Sequence, residues 1–158
     1  MTENEIREIV KKALASVKPD KNEMTLALAE RICDAVTDYA KKMGVNAVVC
    51  VSDSAGNPRL VKSMDDAYIA SYDVAVNKAF TVVALKMSTK TLKPLAQPNG
   101  SLYGIQFTNG GRIVIFGGGD PLSVRGRIIG GIGVSGGSAE QDTELSAYGR
   151  KIFTESFE

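Results

Sequence analysis

Across 158 residues, 44% hydrophobic and 23% charged with a net charge of +1, the chain is long enough to bury one core. Aromatic residues make up only 6% and no basic block stands out, so the charge and stacking features of a nucleic-acid binder are missing. There is no histidine, which excludes Ser-His-Asp and Cys-His catalysis, histidine-ligated zinc and any prosthetic group that needs an imidazole of this chain.

Residues 1–17 place Ile6, Ile9, Val10, Ala13, Leu14 and Val17 on one face at helical spacing. Thr2 and Glu5 form a T-x-x-E capping box, and Lys11 and Lys12 come late, as the helix dipole favours. This predicts a short amphipathic interaction helix. The charged, proline-containing stretch 18–23 has no apolar anchor and reads as a linker, leaving 24–158 as the main domain.

From Met24 to Met43 a second helix carries Ala29, Ile32, Val36, Tyr39, Ala40 and Met43 along one stripe, with Gly44 placed to end it. "NAVVCVS" and "PRLVKSM" flank the turn "DSAGN" and predict a hairpin. Helices follow at about Ser71 to Leu85 and near "TKTLKPLA". "RIVIF" (112–116), "PLSV" and "RIIGGIGV" (127–134) read as strands, the last two joined by an "RG" turn. A final helix begins at about Ser138 with Leu145, Tyr148 and Ile152 on one face. Short turns between strands favour an antiparallel sheet, five strands in all, covered by helices: an α/β fold of the α+β kind. Cys33 and Cys50 lie inside apolar periodic segments and are expected to be reduced and buried. No run reaches the about 18–20 apolar residues of a membrane span, and the first residues are charged, so an intracellular protein without a membrane partner is expected.

Gly131, Gly133 and Gly136 fit the G-x-G-x-x-G pattern of dinucleotide loops. That fingerprint needs a second parallel strand with an acidic residue about 20 residues on, and position 156 is already beside the last residue, Glu158. No Lys-Ser or Lys-Thr pair follows the glycines, so a P-loop is excluded too. Ser138 and Gln141 instead form an S-x-x-Q cap for the last helix.

With these elements placed, "TLALAERICDAV", "VVCVSDSAGNPRLVKSMDDA", "SYDVAVNKAFTVVAL", "FGGGDPL" and "GRIIGGIGVSGGSAEQD" occur in the order found in the GlcG/HbpS-type haem-binding family. The chain resembles that family, which also forms the C-terminal domain of PduO proteins, over most of residues 25–142. The resemblance implies a profilin-like domain with a central antiparallel sheet, a homo-oligomer, and binding of haem or a corrinoid in some members. It maps the family's R-M-D-G-A region onto Ser63 to Ala67, keeping Met64, Asp65 and Ala67, and its K-A-x-T motif intact onto Lys78 to Thr81. Where many relatives have histidine this chain has Asn57, so an iron ligand here would have to be a tyrosine, methionine, cysteine or lysine.

Candidate cofactor-binding residues are therefore Lys78, the axial candidates Met64 and Tyr72 (with Tyr103), the run Gly117, Gly118 and Gly119, and the loop Ser135, Gly136 and Gly137. Lys78 in an apolar helix suits either a ligand carboxylate or an internal ion pair with Asp65, Asp66 or Asp142. A second reading makes Lys78 and the glycine-loop amides a carboxylate clamp for a small organic acid, in a sensor or an enzyme. The N-terminal helix and linker also resemble the encapsulation peptides of bacterial microcompartment cargo. That implies a shell protein as partner for residues 1–17 and a place in the microcompartment lumen.

Overall fold

The computed structural model describes residues 1–16 and 23–157; all of the expected linker except Glu23 lies outside them. In chain order the elements are α1 (Glu3–Ser16), α2 (Leu26–Lys42), β1 (Val48–Asp53), β2 (Pro58–Ser63), α3 (Ile69–Leu85), α4 (Thr89–Leu95), β3 (Gly119–Val124), β4 (Arg127–Ser135) and α5 (Ala139–Glu155). Two short 3-10 turns, Ile105–Phe107 and Asn109–Gly111, lie between α4 and β3.

The helix boundaries follow from local chemistry. Thr25 and Ser88 each accept an amide from their helix's first turn, and Ser138 with Gln141 forms the full capping box. Gly44 at φ 69° lets the chain leave α2 in the left-handed region. At α1 the Thr2 amide donates to Glu5 at 2.6 Å and the Glu5 amide to Thr2 Oγ1 at 3.3 Å, while Ile6, Ile9 and Val10 stay exposed.

The sheet is antiparallel with order β2-β1-β4-β3. It has four strands among the described residues, not the five expected from the sequence, because Arg112–Phe116 is not a strand. That segment lies along α3 instead: Thr81 Oγ1 accepts from the Val114 amide at 3.0 Å, and its proton is shared between the Asn77 carbonyl at 2.7 Å and the Arg112 carbonyl at 3.3 Å. The Arg112 guanidinium stacks 3.7 Å from the Phe80 ring. A side-chain hydroxyl thus satisfies backbone groups that a strand would have offered to a ladder.

Alternation in the two central strands divides the interior. Val49, Val51, Ile132 and Val134 face α2 and α5, where Ile32, Val36, Leu145 and Phe153 complete the main core. Val48 and Cys50 face α3 and meet Ala75 and Ala79. On β4 the α3-facing positions are Gly131 and Gly133. A Cβ at Gly133 would lie 2.1 Å from the Ala75 carbonyl oxygen and 2.6 Å from the Ala79 amide; one at Gly131 would lie 2.6 Å from the Ala79 carbonyl oxygen. Two of the three glycines of the G-x-G-x-x-G pattern, Gly131 and Gly133, are therefore covered by helix backbone, which approaches the strand more closely than any side chain allows, and the third, Gly136, is covered by the chain at Asn46 and Ala47.

Candidate functional site

Because α3 sits so close to β4, its residue 78 is driven into the sheet. Lys78 is completely buried, the largest side chain among the described residues to be so. Its ammonium donates to the Val134 carbonyl at 2.7 Å and to Asp142 Oδ2 at 3.0 Å, and lies 4.9 Å from the centre of the Phe116 ring. Asp142, in the first turn of α5, also accepts the Gly137 amide at 2.9 Å. Of the ion-pair partners the sequence offered, the structure selects Asp142.

Burial pushes Lys78 below its ordinary value, against the opposing pull of Asp142. Burial likewise lifts Asp142 above the usual carboxylate range, against Lys78 and the amides of Gly137 and Gly136. A second buried acid lies under the same helix. Asp120 accepts the Ser146 hydroxyl at 2.6 Å with Arg150 at 3.6 Å, and burial raises it too.

The glycine run closes over the Lys78 pair. A Cβ at Gly118 would lie 2.7 Å from each of Lys78 Nζ, Asp142 Cβ and the Val134 carbonyl oxygen; one at Gly117 would lie 2.2 Å from Thr143 Oγ1, and one at Gly119 3.0 Å from Thr89. Ser135 donates its hydroxyl to Ser71 at 3.1 Å, and the Ser138 amide is taken by Gln141. The structure thus gathers Lys78, Gly117, Gly118, Gly119, Ser135, Gly136 and Gly137 around one buried charge pair. The donors invoked for a carboxylate clamp, Lys78 and the Gly137 amide, already serve Asp142.

Met64 and Tyr72 are placed elsewhere. Met64 lines a hollow of about 440 Å³ with Thr37, Lys41, Asn46, Lys62 and Asp66. Its sulfur accepts the Ala47 amide at 3.3 Å, so one lone pair is engaged. Sharing Asn46 and Asp66, a second hollow of about 230 Å³ continues past Tyr68 to Gly136, Gly137 and Gln141. Tyr68 is 74% exposed and Ile69 97%, with Tyr72 one turn further along α3 at 55%. Sequence reasoning missed Tyr68; the signal was its i, i+4 spacing to Tyr72 at the start of a helix, on a side that no apolar stripe claims. Cys33 and Cys50 are buried, and burial pushes both thiols up to about 12, so neither is a thiolate near neutral pH. Among the described residues no three acidic, cysteine or histidine side chains cluster as a metal site, and no helix is long and apolar enough to cross a membrane.

A family model described as "Haem degrading protein HbpS-like" matches residues 24–151. The chain belongs to the HbpS-like family. Its HbpS-like domain is 44% identical over 132 residues to a 15.0 kDa protein from the dhaT-dhaS intergenic region of Citrobacter freundii, covering 84% of this chain and 93% of that one. The corrinoid adenosyltransferase PduO of Salmonella typhimurium is 36% identical over 149 residues, covering 90% of this chain. The chain spans only 44% of that relative's length. Among solved structures, a PduOC:haem complex superposes with a TM-score of 0.79 at 34% identity, covering 82% of this chain and 94% of that one. The α+β arrangement found here is the one HbpS-like domains share.

Proposed function

We propose that this chain is an accessory haem-binding protein, holding the porphyrin over the paired hollows beside Tyr68. The observation that carries the reading is the likeness, at 34% identity, to a domain solved as a haem complex. The residues present fit the group. Tyr68 and Ile69 give an exposed apolar wall with a phenol at its edge; in the adjoining hollow, which Asp65 and Asp66 also line, Lys41 and Lys62 are paired with Asp38 and Asp34 and would exchange those surface partners for the propionates. With no histidine in the chain, a phenolate is the ligand the surface offers. Bound haem supplies iron-centred redox chemistry; the chain's own part is to hold and orient it and to keep one face covered.

Titration with haemin, followed at the Soret band, tests this. Saturable binding with the spectrum of a phenolate-ligated ferric haem is expected, weakened at least about tenfold in Tyr68→Phe, with Tyr72→Phe as the comparison. No spectral change, or the parent spectrum and affinity retained in the combined Tyr68→Phe/Tyr72→Phe variant, overturns the reading. Cobalamin forms the second arm, and corrinoid binding without haem binding would replace haem by a corrinoid as the ligand.

The N-terminal helix extends the proposal. Its exposed Ile6, Ile9 and Val10 suit a helix-in-groove contact with a microcompartment shell protein, which would place the domain in the lumen. Deleting residues 1–20 is expected to abolish co-purification with shells and leave haem binding intact; retention of the truncated chain on shells sinks the targeting role. The exposed Tyr103 and Phe107 suit burial between copies, so a homo-oligomer belongs to the same proposal.

A further inference from the structure

The opposite end of the sheet carries a second, differently built hollow, of about 570 Å³. It lies where α3 ends, between the β1–β2 and β3–β4 turns. Its donors are Lys86, Arg127, Ser54 and Ser123, set beside the hydrocarbon of Val83 and Ile128. No acidic residue lines it. Two acids adjoin its lining in sequence: Asp53 spends its carboxylate on the Ala55 and Asn57 amides at 2.9 and 3.0 Å, and Asp120 accepts the Ser146 hydroxyl at 2.6 Å with Arg150 at 3.6 Å. Among the described residues Lys86, Arg125 and Arg127 form no ion pair.

The backbone makes this more than a patch of surface charge. Lys86 closes α3 at φ 56°, ψ 35°, the left-handed position that glycine or asparagine ordinarily fills. Arg125 and Gly126 turn the β3–β4 hairpin at φ 50° and 78°, where Asn-Gly is the favoured pair. At two independent turns bordering one hollow, a long cation stands where a smaller residue would fold more easily. Strain retained in this way marks sites whose side chains are needed for something other than folding.

We propose that this hollow binds the phosphate group of a small phosphorylated molecule, with Lys86 and Arg127 supplying charge from its lining, Arg125 adding charge from the adjoining turn, and the serine hydroxyls supplying donors. A phosphate dianion suits a site that has only donors and several cations, and Val83 and Ile128 suit the carbon skeleton beside it. The site is separate from the groove beside Tyr68, and its failure leaves the haem reading untouched.

The test is titration of the full chain with inorganic pyrophosphate at low ionic strength, followed residue by residue by amide chemical shifts. Shifts confined to Ser54, Lys86, Gly126, Arg127 and their neighbours are expected, with affinity lowered about tenfold in Arg127→Gln. Lys86→Asn and Arg125→Asn are expected to melt at the same temperature as the parent or higher, because asparagine tolerates the left-handed backbone, yet to lose affinity similarly. No shift at these residues, or equal affinity in the triple variant, overturns the proposal. Succinate binding as tightly as pyrophosphate overturns the assignment to phosphate, and Asn variants that melt lower overturn the strain argument.

Discussion

Lys78→Met is expected to lower the unfolding free energy by about 3–5 kcal/mol, because it leaves the Asp142 carboxylate buried beside no cation. The double variant Lys78→Met/Asp142→Asn should recover most of that loss, since it removes both charges and keeps an acceptor for the Gly137 amide. Urea unfolding of the four proteins measures both effects, and a double variant as damaged as the single one would show that the pair's charges are not the issue. The pH dependence carries a definite sign. Lys78 sits below its ordinary 10.5, and without Asp142 the opposing pull is gone. In Asp142→Asn the unfolded chain therefore binds more protons between the depressed folded value and 10.5, and stability must rise with pH across that window. Asp142 is shifted upward from 3.8. In Lys78→Met stability must therefore rise as pH falls from the raised folded value towards 3.8.

The second large effect is expected at Gly133. Alanine there puts a methyl carbon 2.1 Å from the Ala75 carbonyl oxygen, with the Ala79 amide at 2.6 Å and Lys78 Cβ at 2.9 Å. Two of these three obstacles are backbone, so α3 as a whole must lift from β4, and the loss should reach or exceed the upper end of the about 1–3 kcal/mol typical of overpacking. Gly44→Ala is the matched control. Nothing lies within 4 Å of its added carbon and only the positive φ is penalised, at about 1–2 kcal/mol. Equal thermal shifts for the two would refute the close-approach account.

These two results concern what could be seen in the sequence and what could not. The cap at Ser138, the stop at Gly44 and the amphipathic stripe of α2 are local signals, and each lies where the residues place it. "RIVIF" carries the same β-branched pattern as a strand, yet whether it pairs depends on an edge being offered. The chain satisfies it through Thr81, 33 residues before Val114. Lys78 and Asp142 are 64 residues apart, so the sequence shows two candidate charges while only the fold shows that they meet. Tyr68 and the hollow beside it are assembled from α2's end, the β2–α3 connection and the β4–α5 loop. No window of sequence contains such a surface.

The position of β4 also bears on how the molecule reaches its native state. It is a central strand, hydrogen-bonded to β1 on one side and β3 on the other, and it is the surface against which α3 settles. Yet only α5 follows it among the described elements. On a ribosome the β1–β2 hairpin and α3 therefore emerge well before their common partner. The hydrogen-bonding edge of β1 and the α3 backbone at Ala75 and Ala79, both of which β4 will occupy, stay open until residues 127–135 are made. Closing such distant contacts is slow compared with forming the helices, so the vulnerable interval for aggregation runs from the emergence of α3 until residues 127–135 supply the missing central strand.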